Sequence, residues 1–466
     1  MPQKDNTWSI ELKNFNAGFA PLAFCDSLTE TGGGGHASTM TNVNVLDGKL
    51  TQGYGLANLT GAVTELISYI MDKAVSNNVS YAIGTSSLWQ LSATAVSNIH
   101  TITGCAEGES IQVLKGNLYY FYNTATEGRI GKYDLSATFQ DSWGTGLQIA
   151  SHPSDKKEDI IVFGNGRYAG TYIAESGDLT PNKLDFGQDA SVDDVLYDGG
   201  FWYLAVNSGV AGTNRTEGQV YLYDGAAIVS TLADETGVGM FRIGFLYRLN
   251  GIKYICYQDL SSTGFIIGYL NGKAIVPLGR FNGTLPNFQQ KTLYKNTILF
   301  LSSGLVYSSG AVIGELPYQL SQIADGGYAT CGAIAAPFGV PMISSTDGSG
   351  NFRLAQFSGY DVNCSWKSIV FPLARGRYLG YIDSIVVLTK TLAAGASCSL
   401  TIEANQALST STAQTIATTG ERRHTFTSFN LGTIEDFRIA LSWAAGSTTN
   451  DCLIRNIKID GHWSEG

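Results

Sequence analysis

Short runs in which apolar and aromatic residues alternate with polar ones recur through the middle of the chain, many of them introduced by Gly and closed by Asp, Asn, Ser or Gly. The runs are Leu88–Ser92, Arg129–Asp134, Ala169–Ile173, Gln219–Gly225, Phe265–Gly272, Gly304–Gly310 and Phe352–Gly359. A period of two is the signature of a half-buried strand. Upstream of several runs lies a second strand pair with a tight turn: Val113–Tyr122 around Lys115-Gly116-Asn117, Leu196–Leu204 around Asp198-Gly199-Gly200, and Leu246–Ile255 around Asn250-Gly251. Such turns need residues that tolerate positive φ, which Gly and Asn supply. Successive copies are roughly 40 to 50 residues apart, the length of one propeller blade. Each unit therefore reads as a small antiparallel meander that cannot cover its own faces but can do so in a ring. Seven blades fit best, and six or eight remain open. The segment Val63–Val75 suits a helix by its amphipathic spacing, but its Ile67–Asp72 centre fits a first strand in register with the later blades, and the strand is the preferred reading. The ring is expected to close through a strand from the N-terminal segment pairing near Phe352–Phe357.

The two ends read differently. Residues 1–58 lack the repeated run, carry Gly32–Gly35 and many Asn, Thr and Gly, and suggest an extended N-terminal arm along the propeller or a neighbouring subunit. Residues 59–360 form the propeller. From 361 to 466 the strands follow at sandwich-like spacing, among them Tyr381–Leu388, Cys398–Glu403, Phe437–Trp443 and Cys452–Ile459, which predicts a C-terminal jelly-roll-like β-sandwich. The expected fold class is all-β throughout.

Composition narrows the function. The 466 residues hold 55 Gly, 24 Tyr and only 15% charged residues, which disfavours disorder and long solvated helices. The formal net charge is −10 and no block of Lys and Arg occurs, so specific nucleic-acid binding is not expected. Met1–Phe15 has no apolar leader segment, and the longest apolar stretch, Ala333–Ile343, is broken by Pro337, Gly339 and Pro341. Neither a secretory signal nor a membrane span is expected, and the chain reads as made in the cytosol. Seven dispersed cysteines without CxxC spacing suggest buried free thiols.

Candidate chemistry is sparse. Gly32–Gly35 is followed by His36-Ala37-Ser38-Thr39 rather than the Lys and Ser/Thr of a phosphate loop. The histidines His36, His100, His152, His424 and His462 are too far apart for a helical metal pair. Glu158-Asp159 and Asp193-Asp194 with Asp198 are the one enzymatic lead, since glycosidases use paired carboxylates. The first pair sits in a mixed-charge run and Asp198 in a hairpin turn, so a structural role is preferred. No catalytic, cofactor-binding or metal-binding residue is assigned, and no cofactor is expected. Trp366, Arg375, Arg377 and Tyr378 could form a sugar platform in the last domain; the alternative is that Trp366 belongs to the sandwich core.

Three N-terminal segments, Leu12–Phe19, Met40–Val45 and Gly48–Leu56, resemble the opening of propeller-bearing tail proteins of short-tailed bacteriophages, of the nozzle and tail-appendage type. Those proteins commonly have Arg-Pro where this chain has Gly53-Tyr54. The resemblance implies a non-enzymatic virion component of the tail, in a nozzle, tail tip or adaptor, made in the host cytoplasm. Its partners would be copies of itself and other tail or portal-proximal proteins. The alternative is a host-recognition protein binding cell-surface glycan through its sandwich, and a propeller glycosidase or lyase is a third reading.

Overall fold

The computed structural model describes residues 7–13, 15, 37–41, 43–46, 49–76, 78–209, 216–232, 241–259, 264–281, 283–295, 297–310, 319–325, 330–347, 349–373, 378–444 and 446–465. The described chain is built of strands, with one 3-10 turn at Phe288–Gln290. It divides into two units, one of residues 1–56, 306–326 and 357–466 and the other of residues 57–305 and 327–356.

The fold is a β-propeller with a β-sandwich. Seven four-stranded blades follow one another, the fourth and fifth joined into one eight-stranded sheet by a single parallel bridge between Glu217 and Phe241. Their first strands are Ile67–Ile70, Glu107–Leu114, Ser154–Lys157, Ala190–Asp198, Phe241–Leu249, Lys291–Tyr294 and Thr330–Ala335. The seven alternating runs of the sequence are the third strands, for example Ser87–Leu91, Gly128–Tyr133 and Phe352–Tyr360. The Val63–Val75 segment contains the strand Ile67–Ile70 and no helix. In the seventh blade the fourth strand is Tyr54–Asn58, which comes from before the first blade.

The hairpin turns carry the predicted backbone. Lys115 and Gly116 have φ of 46° and 74°, and Asn250 and Gly251 have 50° and 80°. Both central residues are left-handed, as the strand twist requires of a two-residue hairpin.

Period-two alternation places one core between each described pair of neighbours. In Asn117–Asn123, Leu118, Tyr120 and Tyr122 join the core shared with Tyr81, Ile83 and Leu88 of the first blade. Tyr119 and Phe121 join Ile161, Phe163 and Tyr172 of the third. A blade therefore has no core of its own, which is why several must stack. The last core of the series contains Ala333, Met342 and Leu354 with Ile67, Trp89 and Val96, joining the seventh blade to the first.

Polar clamps reinforce these junctions. Asn123, Asn165 and Asn207 recur 42 residues apart near the ends of second strands. Asn207 accepts from the Ile243 amide and donates to the Ile243 carbonyl, both at 2.8 Å. Asn123 likewise donates to the Ala150 carbonyl at 2.9 Å and accepts from its amide at 3.4 Å. The Asn165 oxygen accepts from the Gln148 amide at 2.7 Å. Each side chain substitutes for a missing strand partner.

The sandwich corrects the expected separate arm. Thr7–Leu12 pairs antiparallel with Ile454–Glu465, from Thr7 opposite His462 to Leu12 opposite Ile457. Ala37–Thr41 pairs with Ser365–Ser368. Val43–Leu46 and Lys49–Gln52 form a hairpin whose Leu50 meets Ile454. The described strands Thr7–Leu12, Ala37–Thr41, Val43–Leu46 and Lys49–Gln52 thus belong to the two sandwich sheets rather than to an independent arm. The physical reason is burial: Trp8, Ile10 and Leu12 alternate inward and enter one core with Phe437, Ile439, Leu441 and Ile457.

Candidate functional site

The first strands of the blades line the propeller axis. In five of the seven, the register with the second strand slips by one or more residues near the strand start: between Ile67 and Tyr69, Gly108 and Ser110, Val192 and Asp194, Ile243 and Phe245, and Cys331 and Ile334. A bulge bends a strand and re-aims the side chains beside it. Here it separates Asp193 from Asp194, which line different cavities.

Three cavities lie along the axis. The central one, about 290 Å³, is bounded by Tyr69, Gln112, Asp155, Asp194, Phe288 and Lys291 among others. Lys291 Nζ is ion-paired with Asp194, which is 2% exposed, and it also donates to the Leu246 carbonyl at 2.5 Å. The Asp194 carboxylate accepts from the Leu246 and Val195 amides at 2.6 and 2.9 Å. Burial pushes its pKa up, and Lys291 is the largest opposing influence.

At one end, a cavity of about 460 Å³ is lined by Glu107, Glu109 and Asp193 against a single cation, Arg242. The connection Leu285–Gln289 lies against it. Asn287 caps the 3-10 turn, its Oδ1 accepting from the Gln289 amide at 3.0 Å, while the Gln290 side chain accepts from the Asn287 amide at 3.2 Å. Gln289 Nε2 donates to the Glu109 carbonyl at 3.0 Å. Phe288 and Gln289 border both this cavity and the central one, so they form a stopper between them. Gly244 makes the fit possible: a Cβ there would stand 2.1 Å from the Pro286 carbonyl oxygen.

Glu109 is buried at this end. Its carboxyl accepts from Asn123 Nδ2 at 3.0 Å, and burial, followed by the charge of Glu107, lifts its pKa to about 8. His152 is fully buried beside the same Asn123, with Nδ1 2.9 Å from the Gly164 carbonyl. Burial lowers its pKa to about 4.

At the other end, a cavity of about 590 Å³ opens among Lys73, Asp72, Asp155, Lys156, Arg248, Lys291 and Lys295. Its carboxylates are occupied by neighbours. Asp155 accepts from the Tyr197 and Lys156 amides at 2.6 and 2.8 Å, and Asp72 accepts from the Thr292 hydroxyl at 2.6 Å. Lys73, Lys156, Arg248 and Lys295 are exposed.

The other sequence candidates are dispersed. Glu158 is an exposed hairpin residue with φ of 49°, and Asp198 is ion-paired with Arg248 and Lys253. Trp366 is 1% exposed, packed edge-on against Phe15 at 5.4 Å in the sandwich core, so it offers no face to a sugar. Arg375 and Arg377 lie outside the described residues, and Tyr378 begins a sandwich strand. Gly32–Gly35, His36 and Cys25 also lie outside the described residues. The six described cysteines are free thiols. Among the described residues no group of His, Cys, Asp or Glu is arranged to hold a metal ion. No described helix is long and apolar enough to cross a membrane.

The axial cations and the Asn clamps escape a reading of the sequence for motifs. The clamps leave a trace, the 42-residue recurrence of Asn. The cations come from different blades and leave none.

No protein-family model matches the chain, and no curated protein matches it. Solved structures resemble it at the level of fold. The AfRom2 CNH domain is 11% identical, with the match covering 66% of this chain and 100% of that one at a TM-score of 0.45. The N-terminal domain of Nup159 is 8% identical over 66% of this chain and 96% of that one, with a TM-score of 0.40. The extracellular domain of the two-component system BT4673 from B. thetaiotaomicron is 11% identical, and the match spans 73% of this chain but only 43% of that one, at a TM-score of 0.46.

Proposed function

We propose that this chain is a non-enzymatic structural component of a bacteriophage tail, acting in a nozzle, tail tip or adaptor through assembly with copies of itself and neighbouring tail proteins. One observation carries the reading. The segment whose sequence resembles propeller-bearing tail proteins is also the segment that ties strands together. Lys49–Gln52 joins a sandwich sheet, and Tyr54–Asn58 completes the seventh blade. A ring completed by a strand from the opposite end of its own sequence resists opening, because unravelling must break pairings at both places at once. That property suits a particle that must persist outside a cell.

The carboxylates that suggested an enzyme support the same reading. Asp193 and Asp194 line different cavities, Asp194 is held by Lys291, and Asp198 by Arg248 and Lys253. Paired carboxylate catalysis needs two groups facing one substrate bond.

Light scattering of the purified chain over a range of concentrations tests the assignment, together with mass spectrometry of purified phage particles. The expected result is a discrete cyclic oligomer and stoichiometric presence in the particle. A strict monomer that is also absent from particles refutes it.

A further inference from the structure

We propose that the lysine-rich mouth of the propeller axis is a binding site for a compact multivalent phosphate anion, held by Lys73, Lys156, Arg248 and Lys295. The inference does not depend on the tail assignment.

The geometry supplies three arguments. The first is segregation of charge. The chain has a net charge of −10, yet the cavity of about 590 Å³ is lined by five cations, Lys73, Lys156, Arg248, Lys291 and Lys295, against the carboxylates Asp72 and Asp155. The opposite mouth has the reverse balance, Glu107, Glu109 and Asp193 against Arg242. An acidic protein that concentrates cations at one concavity focuses its field there.

The second argument is the occupation of the carboxylates. Asp155 is spent on two backbone amides and Asp72 on Thr292, while Asp194, deeper along the axis, is spent on Lys291. Asp155 is half-buried and Asp72, though exposed, is engaged by Thr292, whereas Lys73, Lys156, Arg248 and Lys295 stand exposed around the opening. Arg248 shares Asp198 with Lys253.

The third is like-charge crowding. Partial desolvation and then the Lys73 ammonium pull the Lys156 pKa down, so the two amines are close enough to repel. Lys156 Nζ also donates to the Val113 carbonyl, and an anion between the two amines would remove the penalty.

Phosphate fits better than an extended polyanion. A duplex or long single strand is gripped by a stripe of cations along a groove, whereas these residues surround one concavity on an otherwise acidic molecule. Lysine ammonium groups act as point charges that can converge on a small anion from several sides. The cavity volume lies within the usual range for small-ligand sites, roughly 300–1,000 Å³. Two sources share this chemistry: a free oligophosphate and the phosphate groups of a surface polymer.

The test is calorimetric titration of the full chain with sodium tripolyphosphate at low and high salt. The comparison is between the native protein, the triple variant Lys73→Gln/Lys156→Gln/Lys295→Gln, and the opposite-mouth variant Arg242→Gln. We expect saturable binding that weakens with salt and falls about tenfold or more in the triple variant, from three exposed charge contacts of modest individual strength. Arg242→Gln should bind like the native protein. Circular dichroism melts of all three proteins establish that each is folded. Competition by poly(glycerol phosphate) assigns the site to a polymer-borne phosphate, and its absence to a free oligophosphate; either accords with the site. No binding to the native protein, binding by the folded triple variant within twofold of native, or equal weakening by Arg242→Gln overturns it.

Discussion

The two mouths of the propeller axis are built from the same parts and end in opposite states. Both are formed where first strands of the blades meet the loops beside them. At the acidic mouth the connection Leu285–Gln289 lies across the axis, and Glu109 is buried among hydrogen-bond partners with its pKa raised to about 8. At the basic mouth Asp155 is taken up by two backbone amides and Asp72 by the Thr292 hydroxyl, while Lys73, Lys156, Arg248 and Lys295 are exposed. Adjacent acids and bases thus differ by partner rather than by place: Asp72 and Asp155 are engaged by Thr292 and backbone amides, while Lys73 and Lys156 stand exposed beside them.

The strongest way to break the comparison is at the centre, where the two halves meet. Lys291→Met leaves Asp194 buried without its cation, and we expect a loss of about 3–5 kcal/mol in chemical denaturation. Adding Asp194→Asn to that variant should restore part of it, since the amide oxygen still accepts from the backbone while the buried charge is removed. If the double variant is no more stable than the single one, the ion pair is not what Asp194 requires.

The acidic mouth has a pH signature. Between the ordinary glutamate value of 4.5 and about 8, folded Glu109 keeps a proton that the unfolded chain has lost, so its contribution to stability declines as pH rises through that window. His152 acts oppositely. Between about 4 and 6.5 the unfolded chain binds a proton that the fold refuses, so stability rises with pH there. The two slopes offset each other near pH 5 to 6, leaving a fall of about 2 kcal/mol between roughly pH 6.5 and 8. Glu109→Gln should flatten that fall in denaturant midpoints measured across the range. An unchanged slope would exclude Glu109 as its cause.

A smaller effect is expected at the blade junction. Asn207→Ala leaves the Ile243 amide and carbonyl without their clamp and should cost about 1.5 kcal/mol in the same measurement. The smallest is at the basic rim: Lys73→Gln should change stability by less than about 0.5 kcal/mol. A large loss there would mean that Lys73 is a structural cation and that the contrast between the mouths is misdrawn.

Much of the propeller was legible in the sequence because its strands alternate and its turns announce themselves. All seven recurrent runs became third strands, and the Lys-Gly, Asp-Gly-Gly and Asn-Gly turns took their expected conformations. The pairing of the N-terminal strands is not legible locally, for a physical reason. Thr7–Leu12 alternates inward and outward like any edge strand, but its partner Ile454–Glu465 lies at the other end of the sequence, and nothing local reports a distant pairing. Trp366 shows the ambiguity of an aromatic near a domain's start, where core and binding face have the same sequence texture. The basic mouth was illegible because Lys73, Lys156, Arg248 and Lys295 are tens of residues apart and each, taken singly, is an ordinary surface charge.

The pairing of Thr7–Leu12 with Ile454–Glu465 has a consequence for how the protein is made. Trp8 donates to the His462 carbonyl across 454 residues of sequence. During synthesis Thr7–Leu12 is made well before residues 454–465, so Trp8, Ile10 and Leu12 lack their native strand partner until those residues are made. Blades two to five, whose strands pair with near neighbours in sequence, can assemble meanwhile. The sandwich core is therefore complete only once residues 454–465 have been made, a long-range closure that sets it apart from the locally paired blades.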